Sequence, residues 1–251
     1  MKKSKNKERL DVVMLKKGMS ETRTKAQSFI MAGNVFVNGK VEYKPGALVD
    51  ENVLIEVKNI NPYVSRGGLK LESALDTLSI SVKGYICLDI GASTGGFIDC
   101  MLQKGASKVY AVDVGSGQLH YKLRSDNRVI NIENVNFRYF DVSVLKDQID
   151  FVTIDVSFIS LDKILPIAYK SVKKNGFVLA MIKPQFELTS IEVKKGVVRD
   201  ENLRQKAISK IKQVALDLNF KIISEADSGL KGPKGNLEHF VLLQKRSAKL
   251  L

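Results

Sequence analysis

Beyond residue 84 the chain keeps one rhythm: a short apolar run, a break, then a stretch with apolar positions three and four apart. The runs 85–90, 108–113, 128–132, 149–154, 176–182, 220–227 and 237–244 read as strands. The stretches 95–104, 161–173 and 200–218 carry the helical period. This alternation predicts an α/β domain, a mostly parallel sheet with helices on both faces. Just upstream, Leu71, Leu75 and Leu78 share one face of a helix expected over 69–78.

Residues 1–60 follow other periods. Leu10, Val13 and Met14 give a short helix stopped by Gly18, and Ser20 stands as the cap of the next one. Ala26, Phe29 and Ile30 supply the apolar face of that second helix. Val35-Phe36-Val37 and Val41 flank Asn38-Gly39, a dipeptide that favours a two-residue hairpin turn. Leu48-Val49 and 53–57 are extended. Pro62 and the following Tyr63-Val64-Ser65-Arg66-Gly67-Gly68 read as a linker, and the two glycines there would permit a hinge. The organisation expected is a small α+β domain over 1–60, a linker over 61–68 and the α/β domain over 69–251, with a basic, unpatterned tail at 1–7.

Ligands of an open α/β sheet sit beyond the C-terminal ends of its strands, so polar residues ending apolar runs are the candidates for chemistry. The run 85–90 contains Asp89 and enters the glycine-rich turn Gly91-Ala92-Ser93-Thr94-Gly95-Gly96. Glycines let a ligand approach the bare backbone N–H groups closely. Asp113 ends the next strand, where such an acid usually takes a ribose hydroxyl pair. The loop does not have the G-x-G-x-x-G spacing of a dinucleotide site, and the chain has no G-x-x-x-x-G-K-[ST] phosphate loop. Asp155 follows Phe151-Val152-Thr153-Ile154, and Lys183 follows six nearly apolar residues. A charge in that place is costly to bury and marks a site.

Charge narrows the partner. Lys plus Arg is 40 against 27 Asp plus Glu, a formal net charge of +13. Such an excess favours a polyanion, because each phosphate neutralised releases counterions. No apolar run approaches the roughly 20 residues that span a bilayer, and the stretch after the basic start is short and broken by Asp11. Neither a signal peptide nor a membrane partner is therefore expected. Cys87 and Cys100 show no zinc spacing and no disulfide framework, and His120 and His239 stand alone, so no metal is expected and a reducing cytoplasm is.

The run Leu88-Asp89-Ile90-Gly91 to Gly95-Gly96-Phe97 resembles the first motif of S-adenosylmethionine-dependent methyltransferases. The resemblance implies a Rossmann-like domain in which Asp89, Gly91, Ser93, Thr94, Gly95 and Gly96 bind the cofactor and Asp113 takes its ribose. It also suggests Asp141 as a partner for the adenine amine. Arg9-Leu10-Asp11, an arginine on the second helix, and Gly33-Asn34-Val35-Phe36-Val37-Asn38-Gly39 closely resemble the S4 RNA-binding domain. That implies RNA contact through Arg9, Arg23 and Lys25, and Arg66 is added beyond them. Thr22-Arg23-Thr24 departs from the Ser-Arg more usual there.

Lys70, Asp155, Lys183 and Glu238 match the Lys-Asp-Lys-Glu tetrad of FtsJ-like ribose 2′-O-methyltransferases. An S4 module joined to that domain resembles the hemolysin A (TlyA) family of ribosomal RNA methyltransferases. The likeness extends to Val64-Ser65-Arg66-Gly67-Gly68, Asp155-Val156-Ser157-Phe158-Ile159, Lys183-Pro184-Gln185-Phe186-Glu187 and Gly232-Pro233-Lys234-Gly235-Asn236. The family implies methylation of cytidine 2′-hydroxyls in 16S and/or 23S ribosomal RNA, with ribosomal subunits as partners. Lys183 is then the central residue, stabilising the alkoxide as an ammonium or taking the proton as an amine, with the other three orienting it. A non-catalytic RNA-binding or ribosome-assembly factor is the alternative. A membrane-active hemolysin fits poorly, since no strongly amphipathic basic helix accompanies the missing span.

Overall fold

A computed structural model describes residues 7–58 and 61–246. The basic tail at 1–6 lies outside the described residues, and Lys7 already opens a strand. The chain forms two compact units, Met1–Pro62 and Tyr63–Leu251.

In the first unit β1 (Lys7–Arg9) leads into α1 (Leu10–Lys16), followed by α2 (Arg23–Met31), β2 (Val35–Val37), β3 (Lys40–Val41), β4 (Leu48–Asp50) and β5 (Ile55–Val57). β1 pairs with β4, and β2 lies between β3 and β5, all antiparallel. Leu10, Val13 and Met14 of α1 meet Ala26 and Ile30 of α2 over Val35 and Ile55. The cap of α2 is Thr22, whose hydroxyl accepts the Lys25 N–H at 3.2 Å, and not Ser20. Asn38 and Gly39 both adopt positive φ, the backbone that a tight hairpin turn needs.

The second unit runs α3 (Arg66–Thr77), β6 (Ile86–Ile90), α4 (Gly96–Gln103), β7 (Lys108–Val112), α5 (Tyr121–Arg124), β8 (Val129–Ile132), β9 (Ile149–Ile154), α6 (Leu165–Ser171), β10 (Val172–Ile182), α7 (Pro184–Glu187), α8 (Glu201–Asp217), β11 (Phe220–Asp227) and β12 (His239–Lys245). Its sheet has the order β11-β12-β10-β9-β6-β7-β8. The five strands from β10 to β8 are parallel, and β12 runs antiparallel between β10 and β11. Central strands buried on both faces are mostly apolar, as 86–90 and 149–154 are, and the buried polar pair they carry, Asp89 and Thr153, is joined by a hydrogen bond of 2.7 Å. Phe151 joins Leu71, Leu75, Ile98 and Met101 of α3 and α4 on one face. Its neighbours Val152 and Ile154 join Leu165, Ile208 and Ile211 of α6 and α8 on the other.

The linker expected over 61–68 is corrected at its end, because Arg66, Gly67 and Gly68 form the first turn of α3. A Cβ on Gly68 would overlap the ring of Tyr63, so this glycine admits a close aromatic contact. The helix expected over 161–173 is broken by a 3-10 turn, Leu161–Lys163, before α6.

Candidate active site

The strand order reverses between β6 and β9, which opens a crevice at their C-terminal ends. Parallel pairing of Ile90 with Ile154 sets Gly91 beside Asp155, and the Asp155 N–H donates to Ile90 O at 3.0 Å. Gly91 has φ +88°, and a Cβ there would lie 2.6 Å from Asp155 O. Only glycine lets the two strand ends approach in this way.

Antiparallel pairing of β10 with β12 does the rest. Ile182 faces His239, so the next residue on one strand, Lys183, and the preceding residue on the other, Glu238, emerge side by side. Lys183 Nζ lies 2.6 Å from Asp155 Oδ1 and makes its well-directed hydrogen bond to Ser157 Oγ at 3.0 Å. Asp155 Oδ1 is buried and accepts no well-directed hydrogen bond. Lys70, on the second turn of α3, forms an ion pair with Glu238, and the two residues are only 8% and 1% exposed. All four tetrad residues line one cavity of about 270 Å³, together with Asp89, Gly91, Ser93, Thr94 and Gly96. Arg66 and Lys231 stand at the same cavity.

A second cavity of about 580 Å³ shares Gly91, Ser93, Asp155 and Ser157 with the first, so the two adjoin. Its walls are apolar at Ile90, Val112, Val135, Phe137 and Ile164. Polar groups come from Asp113 and Asn136. Asp113 accepts the Ser93 and Gly115 N–H groups, each at 2.7 Å, one on each carboxylate oxygen. Each oxygen keeps a lone pair for a diol. A slot with apolar walls and, at its side, a carboxylate able to accept a diol fits a nucleoside.

Two cofactor residues expected from the sequence line neither cavity, and a third, Asp89, reaches the inner cavity while almost wholly buried. Asp141 lines neither cavity: it is exposed, and it caps a 3-10 turn by accepting Ser143 N at 2.9 Å and Ser143 Oγ at 2.7 Å. Those bonds hold its carboxyl below its ordinary range. Asn136, with Phe137 beside it, occupies the wall instead. Gly95 caps α4 in the left-handed region and backs onto Leu119 and Leu123, not onto either cavity. Asp89 is buried beneath the loop and accepts Thr153 Oγ1 at 2.7 Å. Burial pushes its carboxyl up to about 7, against the Thr153 bond, and the charges of Asp155 and Asp113 add to the rise.

Sequence reasoning missed Ser157 and the role of Glu187. Glu187 is 6% exposed, is bonded to Ser160 Oγ, and accepts the Leu161 N–H at 2.9 Å. It thereby ties the segment after Asp155 to the turn after Lys183. The runs 155–159 and 183–187 already carried this signal as motifs, without a partner for either.

In the first unit Asp11 is fully buried and gathers Arg9 Nε and Nη2 at 3.0 Å, Arg23 Nε at 2.9 Å and Gln27 Nε2 at 2.7 Å. The Arg9 guanidinium foremost holds its carboxyl far below the usual range. Arg9 and Arg23 thus converge while remaining half exposed. Lys25 does not join them and pairs with Glu21 at 3.0 Å.

Among the described residues no helix is long and apolar enough to cross a membrane. Nor, among those residues, could any group of three or more His, Cys, Asp or Glu hold a metal ion.

The chain is similar to known proteins along most of its length. Residues 63–245 match the FtsJ-like methyltransferase family and residues 8–55 match the S4 domain. The chain is 48% identical to Hemolysin A of Brachyspira hyodysenteriae over 240 residues, covering 93% of this chain and all of that protein. It is 36% identical over 246 residues to the 16S/23S rRNA (cytidine-2′-O)-methyltransferase TlyA of Mycobacterium tuberculosis, covering 97% and 92% of the two chains. A solved structure from Streptococcus thermophilus, described as a candidate hemolysin, superposes with a TM-score of 0.75 at 43% identity, covering 97% of this chain and 90% of that one.

Proposed function

The chain belongs to the FtsJ-like methyltransferase family, and from that premise we propose that it methylates cytidine 2′-hydroxyls in 16S and/or 23S ribosomal RNA with S-adenosylmethionine. The observation that carries this reading is the meeting of two Lys–carboxylate pairs, Lys183–Asp155 and Lys70–Glu238, in the inner cavity of one cleft. A ribose 2′-hydroxyl is a weak acid, and its oxygen becomes a useful nucleophile only as negative charge on it is stabilised or its proton removed.

The outer cavity suits the nucleoside of the cofactor: Asp113 accepts the ribose hydroxyls, Asn136 meets the base edge, and Gly91 and Ser93 line the passage inward. S-adenosylmethionine supplies an electrophilic methyl group on a positively charged sulfur. Asp155 and Ser157 line both cavities, so the pair that holds Lys183 stands where the two adjoin. Lys183 stands where the 2′-oxygen enters, and Asp155 with Ser157 fixes its amine. Lys70 presents a second positive charge, oriented by Glu238. The lysine ammonium groups favour the oxyanion as its proton passes to solvent in the open cleft, and their carboxylate partners keep them from swinging away. Arg9 and Arg23, set by Asp11 on the S4 unit, contact RNA phosphates, and Arg66 does so at the mouth of the site. The cytoplasm, where ribosomal subunits lie, is the compartment this substrate implies.

The test is tritiated methyl transfer from S-adenosylmethionine to separated, unmodified 30S and 50S subunits, with primer extension at low nucleotide concentration to locate the product. Transfer to a cytidine ribose is expected, and Lys183→Ala is expected to abolish it while cofactor binding persists. Near-normal turnover by Lys183→Ala, or methyl found on a base, would overturn the assignment.

A further inference from the structure

Two basic loops beside the cleft, 189–199 and 228–238, are built as one object. The side-chain amide of Asn236, 3% exposed, joins them. Its Nδ2 donates to Gly196 O at 2.9 Å, and its Oδ1 accepts the Val198 N–H at 2.9 Å. This is the double bond pattern of a peptide group in a ladder, supplied by a side chain. The Asn236 main-chain oxygen accepts the Gly232 N–H at 2.9 Å, so the same residue closes its own loop. On the other loop Lys194 bridges Val197, and Lys195 and Gly196 both turn with positive φ. Lys234 Nζ reaches across to within 3.3 Å of where a Cβ on Gly196 would stand.

The charges on this object are one-sided. Lys194, Lys195, Arg199, Lys231 and Lys234 are all exposed, and none has a carboxylate partner among the described residues. The carboxylates nearby are consumed internally. Glu192 binds Lys206 at 2.6 Å and the Thr189 hydroxyl at 2.8 Å, and Asp200 caps α8 through Asn202 N at 2.8 Å. Five cations without carboxylate partners, on two loops joined by buried hydrogen bonds, favour a polyanion. The object also opens onto the chemistry: Lys231 and Pro233 line the cavity that holds Lys70 and Glu238.

We propose that loops 189–199 and 228–238 form a single seat for the sugar–phosphate backbone of the RNA strand that carries the methylated ribose, held in register by the Asn236 amide. This rests on the ribose methyltransferase reading and adds where the strand lies. A backbone seated on Lys194, Lys195 and Lys234 leads past Lys231 into the inner cavity, so that seating the strand and presenting its 2′-hydroxyl are one event. Asn236 acts as a positioning residue, through the lysines and not on the reacting atoms.

The test measures binding of purified ribosomal RNA across a potassium chloride series, and methyl transfer kinetics on the subunit that the wild-type chain modifies. Lys194→Ala with Lys195→Ala is expected to lower the slope of log affinity against log salt by about 1 to 2. KM for RNA is expected to rise about tenfold, with cofactor affinity and melting temperature unchanged. Asn236→Ala is expected to raise KM similarly, and to add little when combined with the two lysine changes, because one interaction is removed in both. Lys234→Ala, on the surface, tests the seat even if Asn236→Ala folds poorly. An unchanged salt slope in the lysine variants, or full additivity with Asn236→Ala, would overturn the proposal. Failure of the methyltransferase reading shows separately, as absent transfer by the wild-type chain with RNA binding intact.

Discussion

Glu238→Gln is the most direct probe of the tetrad. In the native chain Glu238 is 1% exposed and Lys70 8%, so both charges have left water and depend on each other. Neither can relax outward. Glu238 Oε1 stands 2.6 Å from where a Cβ on Gly232 would lie, and its main-chain oxygen accepts the Ser228 N–H at 2.9 Å. Glutamine keeps the shape and removes the charge, which strands the Lys70 ammonium. Breaking a buried pair in this way costs about 3–5 kcal/mol. At about 2–4 °C per kcal/mol for a domain of this size, the melting temperature falls by about 6–20 °C. Removing both charges is a different perturbation: Lys70→Met with Glu238→Leu leaves no stranded ion and is expected to recover most of the loss. The assay is urea unfolding of four chains, the native one, Glu238→Gln, Lys70→Met and the double variant, at two salt concentrations, with methyl transfer measured alongside. Activity is expected to be lost in all three variants, whereas stability is lost only in the singles. A loss below about 1 kcal/mol for Glu238→Gln, the range of a solvent-exposed pair, or a double variant as unstable as the sum of the singles, would refute the reasoning.

Two further outcomes test the rest of the cleft. Burial lifts the Asp89 carboxyl from its ordinary 3.8 to about 7, so the folded chain holds a proton that the unfolded chain has released between those values. Its contribution is therefore full below pH about 4 and declines as pH rises to about 7, by at most about 4 kcal/mol, at 1.36 kcal/mol per pH unit. Asp89→Asn is expected to flatten that decline, so its melting temperature relative to the native chain is higher at pH 7.5 than at pH 5; parallel pH profiles would contradict this. Asn136→Ala is expected to weaken S-adenosylmethionine binding by about tenfold, the value of one hydrogen bond, whereas Asp141→Ala leaves it within about twofold. Calorimetric titration distinguishes the two, and the reverse ranking would restore Asp141 to the site.

Local pattern made the scaffold of the site legible. The apolar run 86–90, the glycine turn and α4 lie within 18 consecutive residues, and their periods declare strand, loop and helix directly. Asp113 was found for the same reason, since it ends a strand. Where the signal was weak, the structure went its own way. Gly67 and Gly68 disfavour a helix by propensity, yet both lie in α3, and at Gly68 a side chain would overlap the ring of Tyr63. Asp141 and Asn136 stand five positions apart with similar hydrogen-bonding chemistry. Only the path of the chain through two 3-10 turns puts Asn136 in the wall and Asp141 in solvent.

By itself the sequence determined the elements, the two-part organisation and the residue types that could do chemistry, because hydrophobic period and glycine placement are local properties. What it could not determine without a family resemblance was who meets whom. Lys70 and Glu238 are 168 positions apart, and they pair because α3 packs on the sheet while β12 returns antiparallel beside β10. A shift of one residue in the Ile182–His239 register would turn Glu238 to the opposite face of the sheet and leave Lys70 alone. That register is set by the packing of Phe240 and Leu242 on one side and Val241 and Leu243 on the other. It is a property of the whole core, and no single stretch of the chain contains it.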